Sequence, residues 1–169
     1  TLDDWDKQID GGIWAYSPLY EEIVHIPLLI YMPGVPAGTY DQITSAVDVM
    51  PTVLEMLSCH VPEYVEGLSM LPKLKDSGKG GREFTVSSIP FANPGDPVRS
   101  VDNFLRMLKV PTVTTITTDQ YALLYSPEAG QSRLYDLHLD PAQEKDIISD
   151  QPEIAKDLHQ YLGKFMRDN

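Results

Sequence analysis

The segment Ile23–Met32, with the sequence IVHIPLLIYM, constrains the fold more than any other part of the chain. It is almost continuously apolar and rich in branched side chains, and Pro33 and Gly34 follow it. Such a run is typical of a strand buried on both faces in a parallel or mixed sheet. Pro27 cannot donate a ladder hydrogen bond, so we expect it near the start of the strand or at a bulge. A strand of this kind needs neighbours, and we therefore expect the chain to contribute only an edge of something larger.

A helix is predicted after this strand, from about Asp48 to Ser58. Asp48 is a good N-cap residue, and Pro51 falls in the first turn, where a missing N–H costs little. Apolar residues recur at helical spacing and predict one buried face. These residues are Met50, Val53, Leu54 and Leu57. Strand, loop and helix in this order form half of an α/β unit.

The second half of the chain has a different sequence pattern, with a linker-like segment followed by short strand-like segments. Residues 72–82, PKLKDSGKGGR, are typical of a surface linker. Short segments rich in β-branched and aromatic residues follow and predict an antiparallel meander. Its predicted strands are Phe84–Ile89, Thr112–Thr118, Tyr121–Tyr125 and Arg133–Leu137, while Phe104–Lys109 is either a strand or a short helical turn. Asp119 and Gln120 are predicted to form a tight turn.

The last predicted element is a helix from Gln151 to about Arg167. Pro152 lies in its first turn, and Asp150 with Glu153 resembles a capping box. One apolar stripe runs along it, formed by Ile154, Leu158, Tyr161, Leu162 and Phe165. The opposite face is mixed in charge rather than basic, so we expect the helix to pack on the meander and not on a membrane.

Composition excludes several classes of protein. The 169 residues are 42% apolar and 22% charged, which excludes a wholly disordered chain. The longest apolar run falls short of the ~20 residues that span a bilayer. The net charge of −12 disfavours binding to nucleic acid or to an anionic membrane. We expect a soluble protein without a signal peptide in this chain, and the first residue, Thr1, indicates a processed or excised form whose compartment is unknown.

No catalytic or metal-binding pattern is apparent in the sequence. Cys59 precedes His60, but sequence neighbours seldom have the geometry of a nucleophile and its base. His25 is expected to be a packed core histidine. The chain has no HExxH or GxSxG pattern, and Ser77–Gly81 lacks the spacing of a phosphate loop. The densest carboxylate cluster, Asp3, Asp4, Asp6 and Asp10, lacks the order of a calcium loop. We assign no catalytic residue, no metal ligand and no cofactor to this chain.

Three segments, in order and spacing, resemble the C-terminal portion of sulfatases, in the alkaline-phosphatase-like superfamily. The first is LYEEIVHIPLLIYMPGV, Leu19–Val35, which is similar to the family's "YEE, basic residue, hydrophobic, Pro, strand, PG" segment. The second is ITSAVDVMPTVLEML, Ile43–Leu57, followed by EGLSMLP, Glu66–Pro72. The third is RLYDLHLDPAQEKDI, Arg133–Ile147, which is similar to the family's "LYDLxxDPxExxNL".

The resemblance implies a scaffold without the chemistry. Sulfatases hydrolyse sulfate esters with a formylglycine made from a C/S-x-P-x-R motif and a divalent cation, usually calcium. Here Cys59 lies in C-x-x-P without the Arg. Ala15 and Tyr16 stand where the family often has a Lys, and His25 stands where it has an Arg. The nucleophile and metal ligands are therefore expected in an N-terminal catalytic region outside this chain, with calcium implied for the complete family member.

The predicted fold class is α/β, an α+β fragment. Residues 1–75 are predicted to form the last strand and helix of a sulfatase core, and residues 76–169 a small antiparallel-sheet subdomain packed by the C-terminal helix. We expect an exposed apolar core face that is normally covered by the catalytic region, with self-association through it as the other possibility.

The predicted function is that of a non-catalytic C-terminal domain of a sulfuric ester hydrolase. Trp14, Tyr16 and Tyr20 are the candidate rim of a sulfate-ester pocket, with loop anchoring as their other interpretation. The alternatives are part of a related phospho- or phosphonoester hydrolase, and a degenerate binding protein without catalysis. The residues preceding Thr1 would discriminate among these functions.

Overall fold

A computed structural model of the chain describes residues 19–35, 37–76, 82–88, 113–126 and 130–168. The chain divides into two compact units, one formed by Thr1–Ile26 with Val86–Asn169 and the other by Pro27–Thr85. The helices are α1 (Glu21–Val24), α2 (Val49–Met56), α3 (Leu71–Asp76) and α4 (Pro152–Asp168), with a 3₁₀ turn at Ala46–Asp48. The strands are β1 (Phe84–Ser88), β2 (Thr114–Thr118), β3 (Tyr121–Tyr125) and β4 (Arg133–Asp136). The sequence-based boundary near residue 75 remains a prediction.

The four strands form one sheet with the order β1-β2-β3-β4. Strands β2 and β3 pair antiparallel across the turn at Asp119–Gln120, and β3 pairs antiparallel with β4. The predicted antiparallel sheet and its tight turn are confirmed. The undecided segment Phe104–Lys109 lies outside the described residues.

Helix α4 packs on one face of this sheet. The ring centroids of Tyr125 in β3 and His159 in α4 lie 5.2 Å apart. Alternate residues of a strand point to the same side, so α4 lies on the face of β3 that carries Leu123 and Tyr125. Leu158 and Leu162 of α4 are 4% and 1% exposed. The predicted helix on the meander is confirmed. Among the described residues, no helix combines the length and the apolar character that a membrane crossing requires.

The other face of the sheet is covered by the chain around Tyr20. Tyr20 forms a buried cluster with Ala122, Leu124 and Tyr135. Ala122 and Leu124 alternate with Leu123, so they point away from α4. The sheet is therefore buried on both sides, which explains why Ala122, Leu123 and Leu124 are all buried in succession.

The strand predicted over Ile23–Met32 is not formed. Helix α1 takes its first two residues, and residues 25–32 are in neither a helix nor a strand. Leu29 and Tyr31 are 95% and 88% exposed. A strand needs adjacent strands to pair its backbone N–H and C=O groups, and the described part of the chain provides none for this segment.

The helix predicted from Asp48 to Ser58 is present as the 3₁₀ turn and α2, but its apolar face is not covered. We call Val49, Met50, Val53 and Leu57 the α2 apolar face; their side chains are 37%, 51%, 46% and 67% exposed. Their spacing still gives the amphipathic pattern that a buried helix requires. The expected exposed apolar surface is therefore present in the described part of this unit.

Gly67 lies so close to α2 that only glycine fits. A Cβ atom there would lie 2.0 Å from the carbonyl oxygen of Val47 and 3.0 Å from Cγ of Pro51. We expect Gly67→Ala to lower the free energy of unfolding of this unit by about 1–3 kcal/mol, because backbone atoms must move to relieve the overlap. Urea unfolding followed by circular dichroism measures the change.

Gly38→Ala is the matched control for this substitution. A Cβ atom at Gly38 has no neighbour within 4 Å, so the same change is expected to be neutral or stabilising by up to about 1 kcal/mol. Equal effects of the two substitutions would contradict the close packing of Gly67.

Candidate functional site

Tyr20 is the candidate pocket residue that lies within the described part of the chain. Its ring is 7% exposed, and its centroid lies 5.9 Å from that of Tyr135. Its hydroxyl oxygen accepts a hydrogen bond from Nη1 of Arg133 at 2.8 Å. The aromatic body is thus buried and the polar tip is satisfied, which is the usual arrangement for a tyrosine that fixes a loop.

Side chains of β2 and of the loop after β4 also hold the backbone on both sides of Tyr20. Thr115 Oγ1 donates to the carbonyl oxygen of Leu19 at 2.8 Å. The N–H of Glu21 donates to Oε1 of Gln143 at 2.7 Å. Together with the hydrogen bond from Arg133 and the ring of Tyr135, these contacts form what we call the Tyr20 anchor. Its members are Tyr20, Thr115, Arg133, Tyr135 and Gln143.

Gln143 is unusual in two respects. It is 3% exposed, and its φ of +54° lies in the left-handed region, which a residue with a side chain seldom adopts. Its Nε2 is buried and has no hydrogen-bond partner. A buried unpaired amide and a strained backbone each cost free energy, so Gln143 is held there by the fold around it.

A second buried centre lies in the unit Pro27–Thr85. Asp48 is 2% exposed and accepts hydrogen bonds from Nε and Nη2 of Arg82. It also accepts from the N–H of Ser45 at 2.9 Å and the N–H of Leu68 at 2.7 Å. Asp48 occupies the N-cap position of α2, as predicted, but its side chain makes no capping hydrogen bond to that helix. It instead completes a capping box with Ser45 at the 3₁₀ turn and joins this turn to Leu68 and Arg82.

The charge of Asp48 is stabilised despite its burial. Burial raises the pKa of Asp48, but the Arg82 guanidinium and the two backbone N–H groups outweigh it, and the pKa is held below its ordinary value. The hydrogen bond with Asp48 likewise raises the pKa of Arg82. Because all these donors are occupied by one carboxylate, the centre is suited to fastening the chain and not to transferring protons.

Two carboxylates that line the pocket beside β4, those of Asp136 and Asp140, are engaged by backbone N–H groups. Its volume is about 300 Å³, and its lining includes Asp136, Asp140 and Lys145. Asp136 accepts from the N–H groups of His138 and Leu139, and Asp140 accepts from the N–H of Lys145. These bonds shape the turn after β4.

The described residues do not fit a calcium site. No cluster of three or more His, Cys, Asp or Glu side chains occurs among them in a geometry that could hold a metal ion. His25, expected in the core, is exposed instead and lies 3.5 Å from a carboxylate oxygen of Glu21. The reason is that the strand expected around it is not formed. Cys59 is exposed as well.

Of the three candidate rim residues, only Tyr20 lies in the described part of the chain. Trp14 and Tyr16 lie outside the described residues, so their role stays a prediction. Tyr20 lies in the anchor. Sequence reasoning missed Arg133, Gln143 and Arg82, although Arg133 and Gln143 lie in the third sulfatase-like segment; side-chain pairs more than 30 positions apart leave no periodic signal in a single sequence.

Relatives of known sequence confirm the resemblance to sulfatases. The chain is 29% identical to mouse (Mus musculus) arylsulfatase K over 165 residues, which is 96% of this chain and 28% of that protein. It is 26% identical to the uncharacterized sulfatase YdeN of Escherichia coli over 96% of the chain and 33% of YdeN. An arylsulfatase of Clostridium perfringens is 23% identical over 97% of the chain and 31% of that protein. The chain thus spans about a third or less of these relatives. No family model matches it.

Solved structures share the fold. A 2-O GAG sulfatase aligns with 78% of this chain and 27% of its own, with a TM-score of 0.59 and 16% identity. A phosphonate monoester hydrolase of Agrobacterium radiobacter aligns with 75% of this chain and 25% of its own, with a TM-score of 0.53 and 20% identity. The chain is therefore similar in sequence to part of these sulfatases and shares the fold of the solved structures, consistent with the C-terminal portion that the three motifs indicate.

We expect Arg82→Met to destabilise the unit Pro27–Thr85 by about 3 kcal/mol, because it leaves the buried charge of Asp48 without its cation. In the wild-type chain, Asp48 contributes to the free energy of unfolding at pH values above its pKa in the unfolded state. This contribution is lost as the pH falls through the lowered pKa of Asp48 in the folded state. In Arg82→Met the folded pKa rises, so acid unfolding begins at higher pH. Urea unfolding at several pH values measures both effects.

Lys156→Met is the matched control for this prediction. Lys156 lies 3.4 Å from Glu153, and both side chains are more than 60% exposed. Loss of such a pair changes stability by at most about 0.5 kcal/mol. An Arg82→Met variant as stable as this control would show that the Asp48 centre does not fasten its unit.

Proposed function

We propose that the chain is the C-terminal, non-catalytic part of a sulfatase-type sulfuric ester hydrolase, and that it completes the core and the substrate pocket of the whole enzyme. One observation carries this proposal: the alignment with arylsulfatase K covers 96% of this chain but 28% of that protein. The nucleophile and the calcium ligands are assigned to the remaining part of the protein. Among the described residues, no group of three or more His, Cys, Asp or Glu side chains could hold a metal ion.

The exposed apolar surface supports this assignment. The α2 apolar face has the spacing of an amphipathic helix, yet its side chains are open to solvent. Leu29, outside the helix, is 95% exposed. Exposed contiguous apolar surface marks a site that another protein surface covers. We assign this cover to the catalytic region of the same protein. Self-association is the outcome expected when that region is missing.

A phosphonoester or phosphoester hydrolase is the second candidate function. The fold shared with the phosphonate monoester hydrolase of Agrobacterium radiobacter supports it. Both reactions place developing negative charge on a transferring tetrahedral group, which cations and a metal ion stabilise. The choice therefore depends on groups outside this chain.

Turnover of an aryl sulfate and an aryl phosphate, each with calcium, tests the proposal. We compare this chain with the protein translated from its complete reading frame. We expect turnover by the complete protein alone, with the sulfate ester preferred. Preference for the phosphate ester would favour the second candidate, and turnover by this chain alone would refute a non-catalytic role.

Trp14, Tyr16 and Tyr20 remain our proposed pocket-rim residues. For Tyr20 the proposal rests on its place in the sequence near the other two, since its ring is buried. In the complete protein, Trp14→Ala with Tyr16→Ala is expected to lower turnover. Undiminished turnover would contradict the rim assignment.

The covered-face assignment predicts the behaviour of the isolated chain. It should bind an apolar dye and associate with rising concentration, and Val53→Gln with Leu57→Gln should reduce both. In the complete protein the same pair should lower the free energy of unfolding, because each buried aliphatic side chain contributes about 1.5–3 kcal/mol. Light scattering, dye fluorescence and urea unfolding are the measurements.

Glu55→Gln, on the same helix and exposed, is the control for this pair and should change neither property. A monomeric chain that binds no dye would contradict the exposed apolar face. A complete protein that tolerates the Val53 and Leu57 substitutions would contradict its burial.

A further inference from the structure

The edge of the sheet at β4 is covered by the chain itself. Strand β4 is the last in the order of the sheet, so only one of its sides is paired with another strand. The N–H of Leu137 donates to the carbonyl oxygen of Gln120 at 2.7 Å. Because bonded and non-bonded pairs alternate along an antiparallel ladder, Leu134 and Asp136 direct their backbone N–H and C=O groups away from β3. Such groups can pair with a strand of another chain unless something covers them.

Three of these four outward-pointing groups are bonded by the loop that follows β4. The N–H of Leu134 donates to Oδ1 of Asp146 at 3.0 Å, and its carbonyl oxygen accepts from the N–H of Ile147 at 2.8 Å. The carbonyl oxygen of Asp136 accepts from the N–H of Asp140 at 2.8 Å. One carboxylate and two backbone N–H groups thus take the places that a neighbouring strand would fill.

Residues 140–147, which we call the edge strap, are held in shape by two of their own carboxylates. That of Asp140 accepts from the N–H groups of the fourth and fifth residues after it, at 3.2 and 2.8 Å. That of Asp146 also accepts from the N–H of Ile148 at 3.0 Å. Between them, Gln143 has a φ of +54° and a buried amide nitrogen without a partner. Both features cost free energy, so the strap keeps its path along the edge in spite of these costs.

We propose that the edge strap keeps the sheet from pairing with a second copy of this chain. Two copies of an edge strand can pair antiparallel about a two-fold axis, so β4 would be its own complementary partner if its edge were open. The strap fills the same hydrogen-bonding positions from within one chain and so competes with a second copy. This inference does not depend on the proposed function. It also implies that the association expected of the isolated chain uses the α2 apolar face and not the β4 edge.

Amide hydrogen exchange at Leu134 tests the strap in this chain. Asp146→Ala removes the acceptor of this N–H, so at low protein concentration its exchange should be at least about tenfold faster than in the wild type. At high concentration, pairing of two β4 edges should slow the exchange again, whereas the wild-type rate should not depend on concentration. Asp146→Ala with Asp140→Ala removes both carboxylates that shape the strap and should show the same effects more strongly.

Two substitutions within the strap are the matched controls. Asp146→Asn keeps a side-chain oxygen that can accept from Leu134 and should exchange as the wild type does. Glu144→Ala removes an exposed side chain of the strap and should also change nothing. The N–H of Leu123 in β3 reports the folded sheet and should keep its wild-type rate in every variant.

Light scattering gives a second readout of the same edge. In a chain carrying Val53→Gln and Leu57→Gln, in which association through the α2 apolar face is reduced, Asp146→Ala should restore association with rising concentration. Asp146→Asn in the same chain should not.

Three outcomes would overturn the inference. Unchanged exchange at Leu134 in Asp146→Ala would mean that the carboxylate does not close the edge. Faster exchange that stays independent of concentration, without new association, would mean that the strap only orders its own loop. Equal acceleration at Leu134 and Leu123 would mean that Asp146 supports the whole sheet and does not act at its edge.

Discussion

The packing of Tyr20 against the sheet is the interaction on which the larger unit depends. Strand β3 carries buried residues on both faces, and a sheet exposes backbone and apolar side chains unless both faces are covered. Helix α4 covers one side through Leu158, Leu162 and the ring contact of His159. The other side is closed by Tyr20 and the hydrogen bonds around it. A segment about a hundred residues before β3 along the chain thereby completes the core of the sheet.

The unit Pro27–Thr85 depends on a polar centre instead. Its helix α2 leaves several apolar side chains exposed, although Pro51, Met70 and Leu71 are buried. Asp48 and Arg82 fasten residues 45, 68 and 82 to one point, and Thr52 adds a bond from the N–H of Met70 at 2.9 Å. A buried ion pair gives little net stability but fixes geometry, because each partner is costly to leave unpaired. The uncovered face of α2 then agrees with a unit that is one side of a larger core.

The resemblance to sulfatases is established by the comparisons, whereas the activity of the complete protein is proposed. The sulfatase resemblance rests on three ordered motifs, and the sequence relatives and the shared fold confirm it. The chain spans about a third or less of the relatives it matches. The activity of the complete protein is for this reason a proposal.

The sequence by itself determined the elements whose signals are local. The strands of the meander, the turn at Asp119–Gln120 and helix α4 follow from alternation, turn residues and helical periodicity, which act over a few neighbouring positions. Three ordered sequence motifs also indicated the resemblance to the C-terminal portion of sulfatases. Only the tertiary structure decided that Ile23–Met32 has no partner strand among the described residues and that the Asp48 carboxylate binds Arg82. It also decided that Tyr20 meets Arg133 and that Glu21 meets Gln143. These outcomes depend on residues far apart in the chain, and a contact between two such residues leaves no pattern in either one's neighbourhood.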